Sequence, residues 1–193
     1  MDMLVYKEEW GHELLGGSQV YSPQRPPVSH SIVANNIFQI FSNYLENEPC
    51  MAFTNNVDVY LGENDVVVPD VMIVGDLEIV KRKGILGAPD LIVEILAPST
   101  AKNDRGYKKD LYEKFGVKEF WIVDVESRSI DVYILLDGKY ELDNIYYHYP
   151  DYLLDEMSED EKRKITYEFK ASMFPNMVIS LSMVFRSKVY LNS

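Results

Sequence analysis

The chain has 193 residues, 47% of them hydrophobic, which suits one sizeable core and a single domain over residues 1–193. A lone cysteine, Cys50, excludes an internal disulfide and a thiolate-bound zinc or iron–sulfur centre; charges scattered through the first fifteen residues and the lack of any long apolar run lead us to expect no leader or membrane span, and a reducing cytoplasm as the setting. The formal net charge of −12 argues against a general nucleic-acid coat, yet residues 81–118 hold nine Lys or Arg against five Asp or Glu, so this segment is +4 and the rest −16.

In chain order, residues 3–15 predict a short helix ended by Gly16-Gly17, and Gln19 to Ser22 a brief strand before a proline-rich loop. From His30 to Leu45 the apolar residues Val33, Ile37, Phe41 and Leu45 recur at helical spacing, predicting a core-facing helix. Met51 to Leu61 and Val66 to Val74 are rich in β-branched and aromatic residues and read as a hairpin about Gly62-Glu63-Asn64. Leu91 to Leu96 adds a strand. Pro98-Ser99-Thr100 then supplies a stop and an N-cap for a helix over Ala101 to Phe115, closed by Gly116. Glu119 to Val125 and Ser129 to Leu136 predict a strand pair, Lys139 to Tyr149 another strand, 150–164 an acidic surface excursion, and Ile165 to Phe169 and Met177 to Val184 closing strands. This order implies an α/β fold with a mixed sheet. No GxGxxG, GxxxxGK[ST] or GxSxG occurs, and His12, His30 and His148 lack zinc-ligand spacing, which assigns each a surface or satisfied core position.

Two acids do not fit a plain core. Asp70 stands in VVVPDVMIV and Glu94 in LIVEIL, where an uncompensated carboxylate is expensive to desolvate. A hard divalent cation would compensate both, since Mg²⁺ prefers oxygen ligands and lets two carboxylates share a site. On the helix that follows, Asp104, Lys108, Leu111, Tyr112 and Phe115 share one face, so Lys108 should point inward, while Lys109, Glu113 and Lys114 fall on more exposed faces. A purely structural ion pair of Glu94 with Lys108 satisfies the same pattern.

Pro69-Asp70, the strand PDLIVEILAPST and the stretch DRGYKKDLYEKFGVKEFWIVD resemble the Uma-two family of putative restriction endonucleases. So do Glu13-Leu14-Leu15, Pro89-Asp90-Leu91, Gly116-Val117 ahead of Glu119-Phe120-Trp121, and the C-terminal Ser172-Met173-Phe174-Pro175-Asn176. The resemblance implies a PD-(D/E)XK, restriction-endonuclease-like core: a mixed central sheet flanked by helices, with additional C-terminal strands. It also implies that an Asp and a Glu hold the metal while a Lys assists attack on phosphate. Leu96 stands two residues after the glutamate where that lysine is normally expected, so the role would pass to Lys108. Glu13 is the remaining candidate for a third carboxylate.

The resulting expectation is Mg²⁺- or Mn²⁺-dependent hydrolysis of DNA. Asp70, Glu94 and the Ile95 carbonyl would hold the metal, Lys108 would orient water or stabilise charge, Glu13 would add an outer contact, and Asp104 would cap or orient its helix. Lys109 is expected to be solvated. DNA is expected against residues 81–118, and a homodimer could address two strands. The rivals are a catalytically silent binding or assembly protein on the same fold and a hydrolase of small phosphoesters.

Overall fold

The structure, a computed structural model, describes residues 12–21, 25–54 and 56–187. Its first half contains β1 (His12–Leu15), β2 (Ser18–Tyr21), α1 (Val28–Leu45), β3 (Met51–Thr54), β4 (Val59–Tyr60), β5 (Val66–Val67), β6 (Val71–Val74), β7 (Val80–Lys81), β8 (Gly84–Leu86) and β9 (Leu91–Ile95). A helical segment follows as α2 (Ala101–Asn103), a π-helical turn (Asp104–Lys108) and α3 (Lys109–Phe115). The second half contains β10 (Glu119–Asp124), β11 (Ser129–Leu136), β12 (Lys139–Tyr147), α4 (Asp151–Glu156), α5 (Glu159–Lys162), β13 (Glu168–Lys170), β14 (Val178–Ser180) and α6 (Leu181–Val184).

The central sheet has the order β12-β11-β10-β9-β6-β3 and is mixed: β9 and β10 run parallel, and the other neighbours pair antiparallel. A smaller sheet, β2-β1-β5-β4-β8-β7, lies beside it. Because successive strand residues face opposite ways, β9 divides its side chains between two cores. Leu91, Val93 and Ile95 pack with Val33, Ile37, Phe41 and Leu45 of α1 and with Phe169, Ile179 and Val184 of the C-terminal elements. Ile92 packs on the other face with Leu111 and Tyr112 of α3 and with Leu15, Val59, Val67 and Ile85 of the small sheet. All five β9 residues are buried. This is the α/β architecture expected, a mixed central sheet flanked by helices with added C-terminal strands.

Several local expectations are corrected. The helix over 3–15 falls partly outside the described residues, and His12–Leu15 is a strand paired with β2. Gly16 and Gly17, at φ +58° and +80°, form the two-residue turn that a tight hairpin requires, which sets period-2 rather than helical alternation on the strand before it. Each of the two long β runs is divided: β3 and β6 pair in the central sheet, whereas β4 and β5 pair in the small one. Pro69, which has no N–H to give, sits at the crossing between β5 and β6. The excursion over 150–164 carries α4 and α5, and the last predicted strand turns helical after Ser180. Among the described residues no helix is long and apolar enough to cross a membrane.

Candidate active site

A polar seam lies between the two cores at the C-terminal end of β9. Ile92 and Glu94 face the α3 side of the sheet, and the helical segment 101–115 lies over that face through Leu111 and Tyr112. The π turn over Asp104–Lys108 buries both of its end residues. One extra residue in such a turn re-aims the side chains around it, and turns of this kind are frequent at functional positions.

Three carboxylates converge on Lys108. Its Nζ lies 2.7 Å from Glu13 Oε1, 3.2 Å from Glu94 Oε1 and 3.4 Å from Asp104 Oδ1, with the lysine side chain only 4% exposed. Glu13 reaches in from β1 and also accepts the Val68 N–H at 3.0 Å, tying the small sheet to the cluster. The Tyr112 hydroxyl donates to Glu94 Oε1 at 2.5 Å. Asp70 stands just before β6. Continuing the antiparallel register from Val71↔Val93 by one place sets it opposite Glu94, where cross-strand Cβ atoms lie about 5 Å apart. Its Oδ2 accepts the Ile95 N–H at 2.8 Å and lies 3.2 Å from His30 Nε2 on α1.

The electrostatics follow from burial and crowding. Burial pushes the Glu94 carboxyl well above the usual range; Lys108 pulls it back, and Asp104, Asp70 and Glu13 add to the rise. Asp104 is raised for the same first reason, against the pull of Lys108. For Lys108, burial works against the charge, but Glu94, Glu13 and Asp104 more than reverse it and hold the amine protonated. Burial and the neighbouring carboxylates keep the Tyr112 phenol protonated, so it remains a donor. Burial lowers the His30 imidazole, yet the hydrogen bond and charge of Asp70 and the Ile95 carbonyl outweigh it, leaving the ring above its ordinary value.

These residues suit a hard cation by their donor chemistry. Among the described residues, the hydrogen bonds to Glu94 fall on Oε1 and the contacts of Asp70 fall on Oδ2. Asp70 Oδ1 and Glu94 Oε2 are therefore the oxygens left over, and the buried Asp104 Oδ1 has no hydrogen-bond partner there despite its approach to Lys108. The described residues include no group of three or more His, Cys, Asp or Glu side chains poised to hold a metal. Two carboxylates suit Mg²⁺, which takes few protein ligands and keeps several waters.

The sequence-predicted residues Glu13, Glu94, Asp104 and Lys108 thus meet at one point, with Asp70 and Ile95 adjoining it. Thr100 is the N-cap of α2 and Asp104 its C-cap through the backbone, while the Asp104 carboxylate faces inward toward Lys108. Lys109 is half-buried rather than solvated, its Nζ 3.9 Å from the centre of the Tyr133 ring, because the helix packs against the β11 surface at that point. Two residues of the cluster carry no site role by sequence alone: His30, assigned there a surface or satisfied core position, and Tyr112, which helical spacing turns toward the sheet one turn beyond Lys108. The hydroxyl and the imidazole were the available signals. The basic segment is also less free than its count suggests, since Arg105 pairs with Asp131 at 3.0 Å and Lys118 with Asp90 at 2.6 Å, while Lys102 is exposed. A cleft of about 410 Å³ lined by Tyr146, Tyr147, Met157 and Ile165 lies away from these residues, between β12 and the α4–α5 segment.

The sequence family Uma2, described as a putative restriction endonuclease, matches residues 2–160. Over 124 residues the chain is 28% identical to the uncharacterized protein slr1290 of Synechocystis sp. (strain ATCC 27184 / PCC 6803 / Kazusa), a match over 63% of this chain and 65% of that one. The chain therefore spans just under two thirds of that relative's length. In three dimensions it is similar to the crystal structure of a putative nuclease belonging to DUF820 from Anabaena variabilis ATCC 29413, with a TM-score of 0.67 at 18% identity, covering 90% of this chain and 89% of the other. At that identity the likeness carries the restriction-endonuclease-like fold and assigns no residue a role.

Proposed function

Because the chain belongs to the Uma2 putative restriction endonuclease family, we propose that it is a metal-dependent nuclease that hydrolyses DNA phosphodiester bonds at the Asp70–Glu94–Lys108 cluster. The observation that carries this reading is the convergence of Glu13, Glu94 and Asp104 on the buried Lys108 ammonium, with Asp70 opposite Glu94 at the end of the central strands. Four carboxylates against one lysine leave an excess of negative charge that a divalent cation neutralises.

Asp70, Glu94 and the Ile95 carbonyl would hold Mg²⁺ or Mn²⁺, and when bound the ion supplies Lewis-acid polarisation of a phosphate oxygen and a more acidic water. The remaining steps belong to the chain. Lys108 holds a proton within hydrogen-bond reach of Glu94 and presents positive charge where a phosphate accumulates negative charge. Glu13 and Asp104 keep that ammonium charged and fixed in place. Tyr112, donating to Glu94 Oε1, holds the carboxylate in one rotamer and leaves Oε2 for other partners.

A second reading is favoured by one observation: Lys108 already has three carboxylates around it, so the cluster also works as a structural ion-pair network in a nuclease fold without activity. Incubation of single-stranded, duplex and branched DNA with the protein and Mg²⁺ or Mn²⁺ separates the two, with model phosphodiesters alongside. Metal-dependent DNA cleavage that is lost in Glu94→Gln supports the nuclease. Absence of cleavage under every metal supports the network, and cleavage of the small esters alone points to a different substrate class.

A further inference from the structure

His30 is chemically out of place. It opens the buried stripe of α1, whose next inward residues are Val33, Ala34, Ile37 and Phe41, and its side chain is only 5% exposed. A buried imidazole in such a stripe requires a partner. The partner is Asp70: His30 Nε2 lies 3.2 Å from Asp70 Oδ2, across the junction between the helix and the start of β6. The Ile95 N–H donates to the same oxygen at 2.8 Å. His30 and the Ile95 N–H thus meet on one oxygen of Asp70, a carboxylate assigned to the metal. On its other side the ring has no use that the structure shows, because Nδ1 is buried without a hydrogen-bond partner among the described residues.

We infer that His30 is a positioning residue: with the Ile95 N–H it clamps Asp70 Oδ2, fixing the carboxylate so that Oδ1 is the oxygen offered to the cation. The inference rests on the metal reading above and adds to it a residue on a different element, α1. Two donors on one oxygen set both the rotation and the tilt of a carboxylate, which a single donor does not. The clamp operates with the ring neutral or charged, since either form can carry the Nε2 proton. Outer groups that orient ligands in this way typically change metal affinity by about 10- to 100-fold when removed.

The test is Mn²⁺ binding to the full chain, read by calorimetry and by the electron paramagnetic resonance of free Mn²⁺, with thermal unfolding measured on every variant. His30→Phe keeps the ring volume and removes the donor; His30→Gln keeps an amide N–H near the Nε2 position. The expected result is Mn²⁺ binding by the wild type, its loss in Asp70→Asn, an affinity about 10- to 100-fold weaker in His30→Phe, and recovery of most of that loss in His30→Gln. A merely structural histidine would lower the unfolding temperature of both His30 variants and leave the affinity of the folded fraction unchanged, which overturns the inference. Should His30→Phe fail to fold, the imidazole Nε2–H resonance of the wild type decides: a shift on addition of Mg²⁺ supports the clamp, and an unmoved resonance during saturable binding overturns it. A wild type that takes up no Mn²⁺ overturns the metal reading and this inference with it. A wild type that binds beside a folded His30→Phe of equal affinity overturns the inference alone.

Discussion

Glu94 and Glu119 lie on the neighbouring parallel strands β9 and β10 of one sheet, both fully buried, and both carboxyls are raised first of all by burial. Their surroundings differ in kind. Glu119 spends both oxygens on neutral donors: Oε1 on the Trp121 indole N–H at 2.7 Å, and Oε2 on the Ser172 N–H and hydroxyl at 2.8 and 2.6 Å. It pins the C-terminal segment to the sheet, and no chemistry is left over. Glu94 receives Lys108 and Tyr112 on one oxygen and sits among three other carboxylates. A buried acid is therefore not a mark of a site in itself. The mark is a buried acid with an oxygen that takes no hydrogen bond among the described residues and with like charges beside it.

The sharpest way to break this comparison is to neutralise each acid. Asp70→Asn and Glu94→Gln are expected to reduce metal-dependent DNA cleavage by more than about 100-fold, given that groups merely orienting such ligands account for about 10- to 100-fold. Glu119→Gln should leave cleavage within about twofold of wild type, because no part of it reaches the cluster. Initial rates on one DNA substrate, taken well below each variant's unfolding temperature, decide the matter. An active Glu94→Gln would make the two glutamates equivalent.

Stability extends the contrast to the lysines. Lys108→Met leaves Glu13, Glu94 and Asp104 without their shared cation, and removing one partner from a buried charge set typically costs about 3–5 kcal/mol. Lys109→Met forfeits only a cation–π contact with Tyr133, worth about 0.5–1 kcal/mol. Denaturant unfolding of the pair should show that gap. Cleavage should disappear in the first variant and persist in the second.

Glu119 supplies the next smaller effect. Glu119→Ala leaves the Trp121 and Ser172 donors without their acceptor, at about 1–3 kcal/mol, with cleavage by the folded protein retained. Equal stability of this variant and the wild type would remove the structural role assigned to Glu119.

The smallest expected effect is a pH slope. Because the Glu119 carboxyl is raised above its ordinary value of 4.5, ionising it opposes folding. Its favourable contribution is present in full below the unfolded value and is lost as pH rises through the folded one. Glu119→Gln should flatten the stability profile in that window above 4.5 and nowhere else. Unfolding midpoints collected at half-unit pH steps test this, and an unchanged slope would show that Glu119 titrates as it does in the unfolded chain.

Elements whose pattern is local are legible in the residue order. The α1 stripe, the apolar β9 run, the hairpin of β10 and β11 and the Gly116 stop with φ +82° all follow from residue spacing or from glycine's tolerance of left-handed backbone. The same order also marks Asp70, Glu94 and Lys108, since a charge inside an apolar run is visible without coordinates. Which acids share a point in space depends on the folded arrangement of distant elements. Glu119 opens a strand as apolar as that of Glu94, and nothing local separates the two; the difference is that Ser172 meets one and Lys108 the other. Glu13 and His30 reach the cluster from β1 and α1, at sequence separations of 95 and 40 residues from Lys108 and Asp70. Such pairings arise from how the two cores close on the central sheet, and residue spacing along one element carries no information about them.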